Sequence, residues 1–239
     1  MREQQQGVAV VSGAGSGIGR EIALRLARRG HPLALLGRRR EPLEETLAAA
    51  RGTGGEGIAL VCDVRADEDL AVAASVIEER WGAASIVVPA AGVAVIAPLE
   101  EIPGESFRET IDTNLTGAAL LIASLLEGMK RRGSGWIFPI LSPAARRGFP
   151  GWSAYCASKW GLAGLIAALR EELAGSGVRI TSIYPGATAT PLWDDLPGSW
   201  DRARMVPASE VGRAVEAALD GDPAALVEEI HLGPAGGAL

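Results

Sequence analysis

The chain has 239 residues, 48% apolar and 22% charged, with 31 Gly and 14 Pro, the composition of a globular domain that buries a sizeable core without disulfide or metal. Twenty-three basic against 29 acidic side chains give a net charge of −6, which argues against a surface that coats nucleic acid. The apolar runs at 86–99 and 115–126 are too short for a bilayer core, which takes about 20 residues, and residues 1–6 offer no apolar leader. The expectation is a cytoplasmic protein with neither a nucleic-acid nor a membrane partner.

Residues 8–12 form a β-branched run, glycines follow, and 18–30 carry apolar side chains at 18, 22, 23, 26 and 27, the spacing of a helix with one buried face. Strand, tight turn and helix make the first unit. The pattern repeats as strand 32–36 with helix 41–51, strand 57–62 with helix 67–81, and strand 84–89 leading through a long loop to helix 105–132. Then come strand 136–141, helix 153–174, strand 178–184, a loop, helix 209–219 and a last strand at 227–232. Strands alternating with helices imply a parallel sheet, and runs such as Ile86-Val87-Val88 without polar alternation fit a sheet covered on both faces. The predicted architecture is α/β: a doubly wound, Rossmann-type parallel sheet of seven strands in one domain over 1–239, with trailing tails at 1–6 and 233–239. Cys62 and Cys156 lack CxxC or metal-ligand spacing and read as small, reduced core residues, so no metal site is expected.

The turn after the first strand reads Ser12-Gly13-Ala14-Gly15-Ser16-Gly17-Ile18-Gly19. Glycines there permit positive φ and let the backbone approach a pyrophosphate at a helix N-terminus, where free N–H groups and the helix dipole favour anions. Further on, Tyr155-Cys156-Ala157-Ser158-Lys159 puts a phenol and an ammonium four residues apart, on one helix face. Ser142 lies thirteen positions before Tyr155, and Asn114 sits in Asp112-Thr113-Asn114-Leu115.

The G-x-x-x-G-x-G spacing and these four residues resemble the short-chain dehydrogenase/reductase family, and the matching motifs span the chain. The resemblance implies a catalytic tetrad of Asn114, Ser142, Tyr155 and Lys159. Moving hydride onto a carbonyl carbon creates an alkoxide that a positioned acid must protonate. Tyr155 would be that acid, its phenolate favoured by the Lys159 ammonium and an oxidised nicotinamide. Ser142 would donate a hydrogen bond to the substrate oxygen, Lys159 would also bond the nicotinamide ribose, and Asn114 would hold a water in a proton relay.

By the same resemblance the cofactor contacts are Gly13, Ser16, Gly17, Ile18 and Gly19 at the pyrophosphate, and Asp63 and Val64 at the adenine. Ala91 and Gly92 follow the fourth strand, and Pro185, Gly186, Thr188 and Thr190 lie beside the carboxamide, with Thr188 where Val or Ile is usual. At the end of the second strand Gly37 stands where an NAD-selecting Asp would be, and Arg38 and Arg39 follow. Arg38 can pair with a 2′-phosphate, so NADP(H) is expected in preference to NAD(H), although an Arg run also serves as a solvated turn. The chain departs from the family at Pro89-Ala90-Ala91-Gly92, usually Asn-Asn-Ala-Gly, and at Pro139, usually Asn. The expectation is that Pro89 and Pro139 face one another as a coupled apolar replacement of a polar pair, which places cofactor affinity in question.

Phe149, Trp152 and Trp193, with Trp200, flank the site together with Ser142 and Tyr155. They suit an apolar or aromatic-tolerant carbonyl pocket, or equally the packing of a lid or subunit contact. Arg146 and Arg147 suit an anionic substrate or a solvated loop face, and residues 194–201 read as a flap. The function implied is reduction of a small ketone or aldehyde with NADPH, reversibly oxidation of an alcohol, in a homodimer or homotetramer. The alternatives are a 3-oxoacyl thioester reductase and a non-catalytic nucleotide-sensing module.

Overall fold

The computed structural model describes residues 6–222 and 224–237; the parts of the expected tails at 1–5 and 238–239 lie outside them. In chain order the elements are β1 (Ala9–Ser12), α1 (Gly17–Arg28), β2 (Leu33–Gly37), α2 (Arg40–Arg51), β3 (Gly57–Val61), α3 (Asp67–Trp81) and β4 (Ile86–Val88). There follow α4 (Gly104–Ile111), α5 (Gly117–Arg132), β5 (Gly135–Ile137), α6 (Ser153–Glu172), β6 (Val178–Ile180) and β7 (Ser182–Pro185). Two short strands, β8 (Thr188–Ala189) and β9 (Val206–Pro207), then α7 (Ala208–Leu219) and β10 (Glu229–Leu232) complete the fold.

The central sheet runs β3-β2-β1-β4-β5-β6 and is parallel throughout. Apart from Ser12 at the end of β1 and Arg179 in β6, its strands carry apolar or glycine residues, as suits a sheet with a helix layer on each face. Val8 and Val10 enter the core beneath α3, α5 and α6. Ala9 and Val11 enter the opposite one, beneath α1, α2 and α7. On that second face the Arg29 guanidinium reaches Asp220 at 2.6 Å and Arg25 pairs with Glu216, fastening α7 to α1. Gly212 leaves the room for this, since a Cβ there would lie 2.6 Å from Arg25 Cδ.

Two expectations need correction. The helix predicted over 105–132 is two helices, α4 and α5, separated by a π-helical turn at Asp112–Thr116. The sheet has six strands, not seven: the strand expected at 178–184 divides into β6 and β7, and β7 pairs with β10 in a separate two-stranded sheet. Pro139 is the physical cause. The N–H groups of Trp136, Phe138 and Ile140 donate to Ser85, Val87 and Pro89 beside β4, at 2.8, 2.8 and 3.2 Å. Odd-numbered residues therefore face β6, and the proline ring removes the donor on that side. Contact resumes beyond it, through Ile183 N–H to Pro139 O at 3.0 Å and Leu141 N–H to Ile183 O at 2.8 Å. Extending the β4/β5 register, Ile86 opposite Trp136 and Val87 opposite Ile137, brings Pro89 and Pro139 to neighbouring positions.

From β1 the chain moves outward to β2 and β3, then returns to the other side of β1 for β4 and β5. The reversal opens a crevice at the carboxyl ends of β1 and β4, where open α/β sheets bind ligands.

Candidate active site

A cleft of about 770 Å³ occupies this crevice. Gly13, Ser16, Gly17, Ile18 and Gly19 border one end. Gly13 has φ +64°, and a Cβ on it would lie 2.8 Å from Ala91 N and 2.9 Å from Ala90 O. A Cβ at Gly19 would lie 2.5 Å from Gly13 O. Ser16 opens α1 without capping it by its side chain, and no acidic residue occupies the first turn. The first N–H groups of α1 thus remain available to an anion.

Beside the glycine turn a smaller recess of about 150 Å³ is lined by Arg38, Arg39, Asp63, Val64, Ala91 and Gly92, with Cys62 and Thr113. Thr113 was not anticipated. Among the described residues its buried Oγ1 has no hydrogen-bond partner, and a ligand in the recess would satisfy it. Asp63 is already engaged: Arg65 grips its carboxylate at 2.6 and 2.9 Å and donates its backbone N–H at 3.0 Å. That hydrogen bonding holds the Asp63 carboxyl below the usual carboxylate range. Arg38 extends to Glu109 at 3.4 Å.

At the far end Ser142, Tyr155 and Lys159 line the cleft together with Pro185, Gly186, Thr188 and Thr190. Ser142 follows β5 and its Oγ accepts from Ala144 N–H at 3.2 Å, which fixes its loop. Tyr155 and Lys159 come from successive turns of α6. Thr188 Oγ1 donates to Gly186 O at 2.9 Å and closes its own turn.

Asn114 is the tetrad residue outside the cleft lining. Buried at the π-turn, its Oδ1 accepts from Val93 N–H at 2.8 Å, and its Nδ2 donates to Val93 O at 2.9 Å and to Ser158 Oγ at 3.0 Å. Its side chain ties the segment after β4 to α6, next to Lys159.

In the free site, without the oxidised nicotinamide that the expectation includes, burial governs both groups. Burial pushes the Tyr155 phenol up to about 12, against the hydrogen bond from Ser142, which works downward. Burial also brings the Lys159 ammonium down to about 8. Its Nζ donates to Ile140 O at 2.8 Å and lies 5.6 Å from the Tyr155 ring centroid. Desolvation, which disfavours the charged form of each group, is the largest cause for both.

Phe149, Trp152, Trp193 and Trp200 all line the cleft. Trp152 meets Tyr155 edge-on at 5.4 Å and Trp193 at 5.8 Å, and Trp193 meets Trp200 at 4.7 Å. Trp193 Nε1 donates to Thr188 O at 2.8 Å, while the buried Trp200 Nε1 has no partner among the described residues. The two arginines separate: Arg147 lines the cleft with its guanidinium 4.7 Å from the Phe149 ring, whereas Arg146 turns away to Tyr184 and Glu229. Within the expected flap, Asp195 and Trp200 border the cleft and Asp194 pairs with Arg202. Gly233, Pro234 and Gly237, from the expected trailing segment, also line it. Among the described residues no His, Cys, Asp and Glu cluster could hold a metal, and no helix is long and apolar enough to cross a membrane.

A family model described as short chain dehydrogenase matches residues 7–198. Sepiapterin reductase of Chlorobaculum tepidum is 35% identical over 237 residues, covering 96% of this chain and 97% of its own. An alcohol dehydrogenase from the archaeon Thermococcus sibiricus, complexed with 5-hydroxy-NADP, superposes with a TM-score of 0.89 at 31% identity, covering 96% of this chain and 97% of that one. NAD+-bound xylitol dehydrogenase does so with a TM-score of 0.86 at 26% identity, covering 97% and 100%.

Proposed function

This chain belongs to the short-chain dehydrogenase family, and from that premise we propose that it is an NADP(H)-dependent oxidoreductase that interconverts a ketone or aldehyde and its alcohol. The observation that carries the reading is the meeting of Ser142, Tyr155 and Lys159 in the cleft that the glycine turn borders. The residues present fit a dinucleotide. The glycine turn has no room for a Cβ at Gly13 or Gly19, the start of α1 lacks a side-chain cap, and Thr113 Oγ1, at the adenine end, lacks a partner among the described residues. The cofactor would supply or take up the hydride.

The remaining chemistry falls to the chain. With its phenol raised to about 12, Tyr155 is protonated at neutral pH and gives its proton to the substrate oxygen as charge develops there. The Ser142 hydroxyl donates a hydrogen bond to the same oxygen and positions the carbonyl. The Lys159 ammonium, brought to about 8, is close enough to neutrality to return a proton toward Tyr155. Asn114 positions α6 through Ser158, and a relay water would sit at the π-turn to which it belongs. The tryptophans exclude water and favour a flat or apolar substituent beside the carbonyl.

NADP(H) is preferred in this reading because Arg38 and Arg39 border the recess where a carboxylate would select NAD(H). A second reading, reduction of an anionic acyl thioester, rests on Arg147, which borders the cleft and forms no ion pair among the described residues. The enzyme would work in the cytoplasm as a dimer or tetramer joined through α5 and α6, where Trp160 is 51% exposed. The test is NADPH consumption against a panel of free ketones, aldehydes and acyl thioesters, with Tyr155→Phe as control. Turnover that survives in the variant refutes the mechanism, and turnover confined to thioesters selects the second reading.

A further inference from the structure

We propose that Glu109 tempers the cofactor preference by competing with the 2′-phosphate for Arg38; the inference rests on the dinucleotide reading above. Glu109 lies on α4, away from the glycine turn, and belongs to none of the motifs that mark the cofactor site. Its Oε1 receives Arg38 Nη1 at 3.4 Å and Arg65 Nη1, also at 3.4 Å. Two guanidiniums, one following β2 and one following β3, thus converge on a single carboxylate oxygen at the rim of the adenine recess.

Arg38 has one guanidinium to commit. Glu109 engages it through Nη1 alone and offsets part of its charge; turning the full fork of donors to a phosphate means leaving Glu109. The second contact makes this exchange cheap. Arg65 stays in place, locked to Asp63 at 2.6 Å, so the Glu109 carboxylate keeps a cationic neighbour when Arg38 departs. Side-chain exposures of 55% for Arg38 and 41% for Glu109 leave both groups solvated, and the competition is correspondingly modest. Glu109 is a positioning residue: it acts on the cofactor through Arg38.

The test uses the full-length protein and two mononucleotide fragments, 2′,5′-ADP, which carries the distinguishing phosphate, and 5′-AMP, which lacks it. Calorimetric Kd values are measured at fixed ionic strength for wild type, Glu109→Gln, Arg38→Gln and the double variant. Glu109→Gln tightens 2′,5′-ADP by about threefold, the equilibrium factor of a solvated ion pair, and leaves 5′-AMP unchanged. In the Arg38→Gln background the same substitution has no effect on either fragment. Weaker binding of both fragments to Glu109→Gln would mean that Glu109 holds Arg38 over the adenine, and overturns the proposal. Unchanged binding of 2′,5′-ADP, or an effect that persists without Arg38, also overturns it. If wild type binds neither fragment, the dinucleotide reading itself fails.

Discussion

Replacing Lys159 by methionine should stabilise the free protein at neutral pH while removing its activity. Lys159 is 5% exposed, its Nζ donates to Ile140 O at 2.8 Å, and burial alone brings it from 10.5 to about 8. At 1.36 kcal/mol for each tenfold change in proton affinity, that depression corresponds to about 3 kcal/mol of strain when the ammonium is charged. Methionine keeps the stem volume and loses the bond to Ile140 O, which costs about 1 kcal/mol. The variant should therefore be more stable by about 2 kcal/mol at pH 7, or roughly 4–8 °C in Tm for a chain of this size. The sign with pH follows from a folded value below the unfolded one. The contribution of Lys159 is fully present above its unfolded value of 10.5 and is lost as pH falls through about 8. The gap between variant and wild type is thus widest below pH 8 and narrows by about 1 kcal/mol per pH unit above it. Denaturant unfolding of both proteins from pH 7 to 9.5 reads this difference. The Cys62 thiol, which burial pushes up to about 11, affects both alike and cancels. A gap that does not change with pH, or a variant less stable than wild type at every pH, would refute the reasoning.

Tyr155→Phe should reduce turnover at least about a hundredfold, the scale of a lost general acid, with NADPH affinity by calorimetry unchanged. Gly19→Ala places a methyl 2.5 Å from Gly13 O; dinucleotide binding should weaken by more than about tenfold with the circular dichroism spectrum retained. Arg38→Gln should raise the Kd for NADPH about tenfold, or about 1.4 kcal/mol, and leave that for NADH in place; equal losses would make Arg38 an adenine contact only. Trp193→Ala should raise KM for bulky ketones more than it lowers kcat, because the ring borders the cleft and its N–H is held by Thr188 O.

The glycine turn and the Tyr155/Lys159 pair were legible because each is a local pattern whose spacing alone states its geometry. Ser142 was legible by its place after a strand. The order of strands and helices followed from uninterrupted apolar runs. The π-turn at Asp112–Thr116 was not legible, since it differs from an α-helix only in which carbonyl each N–H selects, and the apolar spacing of 105–132 survives one extra residue. For the same reason the amide of Asn114, committed to Val93 and Ser158, reads in sequence as a free polar group. The capture of Asp63 by Arg65 and of Arg38 by Glu109 joins residues from different loops and the α4 helix, where neither spacing nor periodicity carries information. The upward shift of Tyr155 in the free site was not legible, because a sequence shows which charges are near a phenol and not how much of it is buried.

The π-turn between α4 and α5 makes chain length itself a functional variable. One residue of α-helix is about 100° of rotation, and the wide turn at 112–116 absorbs one extra residue so that α5 keeps its apolar face toward the core. Deleting a single residue there would restore regular winding and leave Leu121, Ile122, Leu125 and Met129 in the core, while Asn114 would lose its place opposite Val93 and Ser158. An insertion or deletion within the regular turns of α5 would instead swing every later side chain by that angle. Insertions and deletions should be tolerated at the loop after α2, where Gly54 has nothing within 4 Å of its would-be Cβ, and excluded from residues 112–116 whatever their identity.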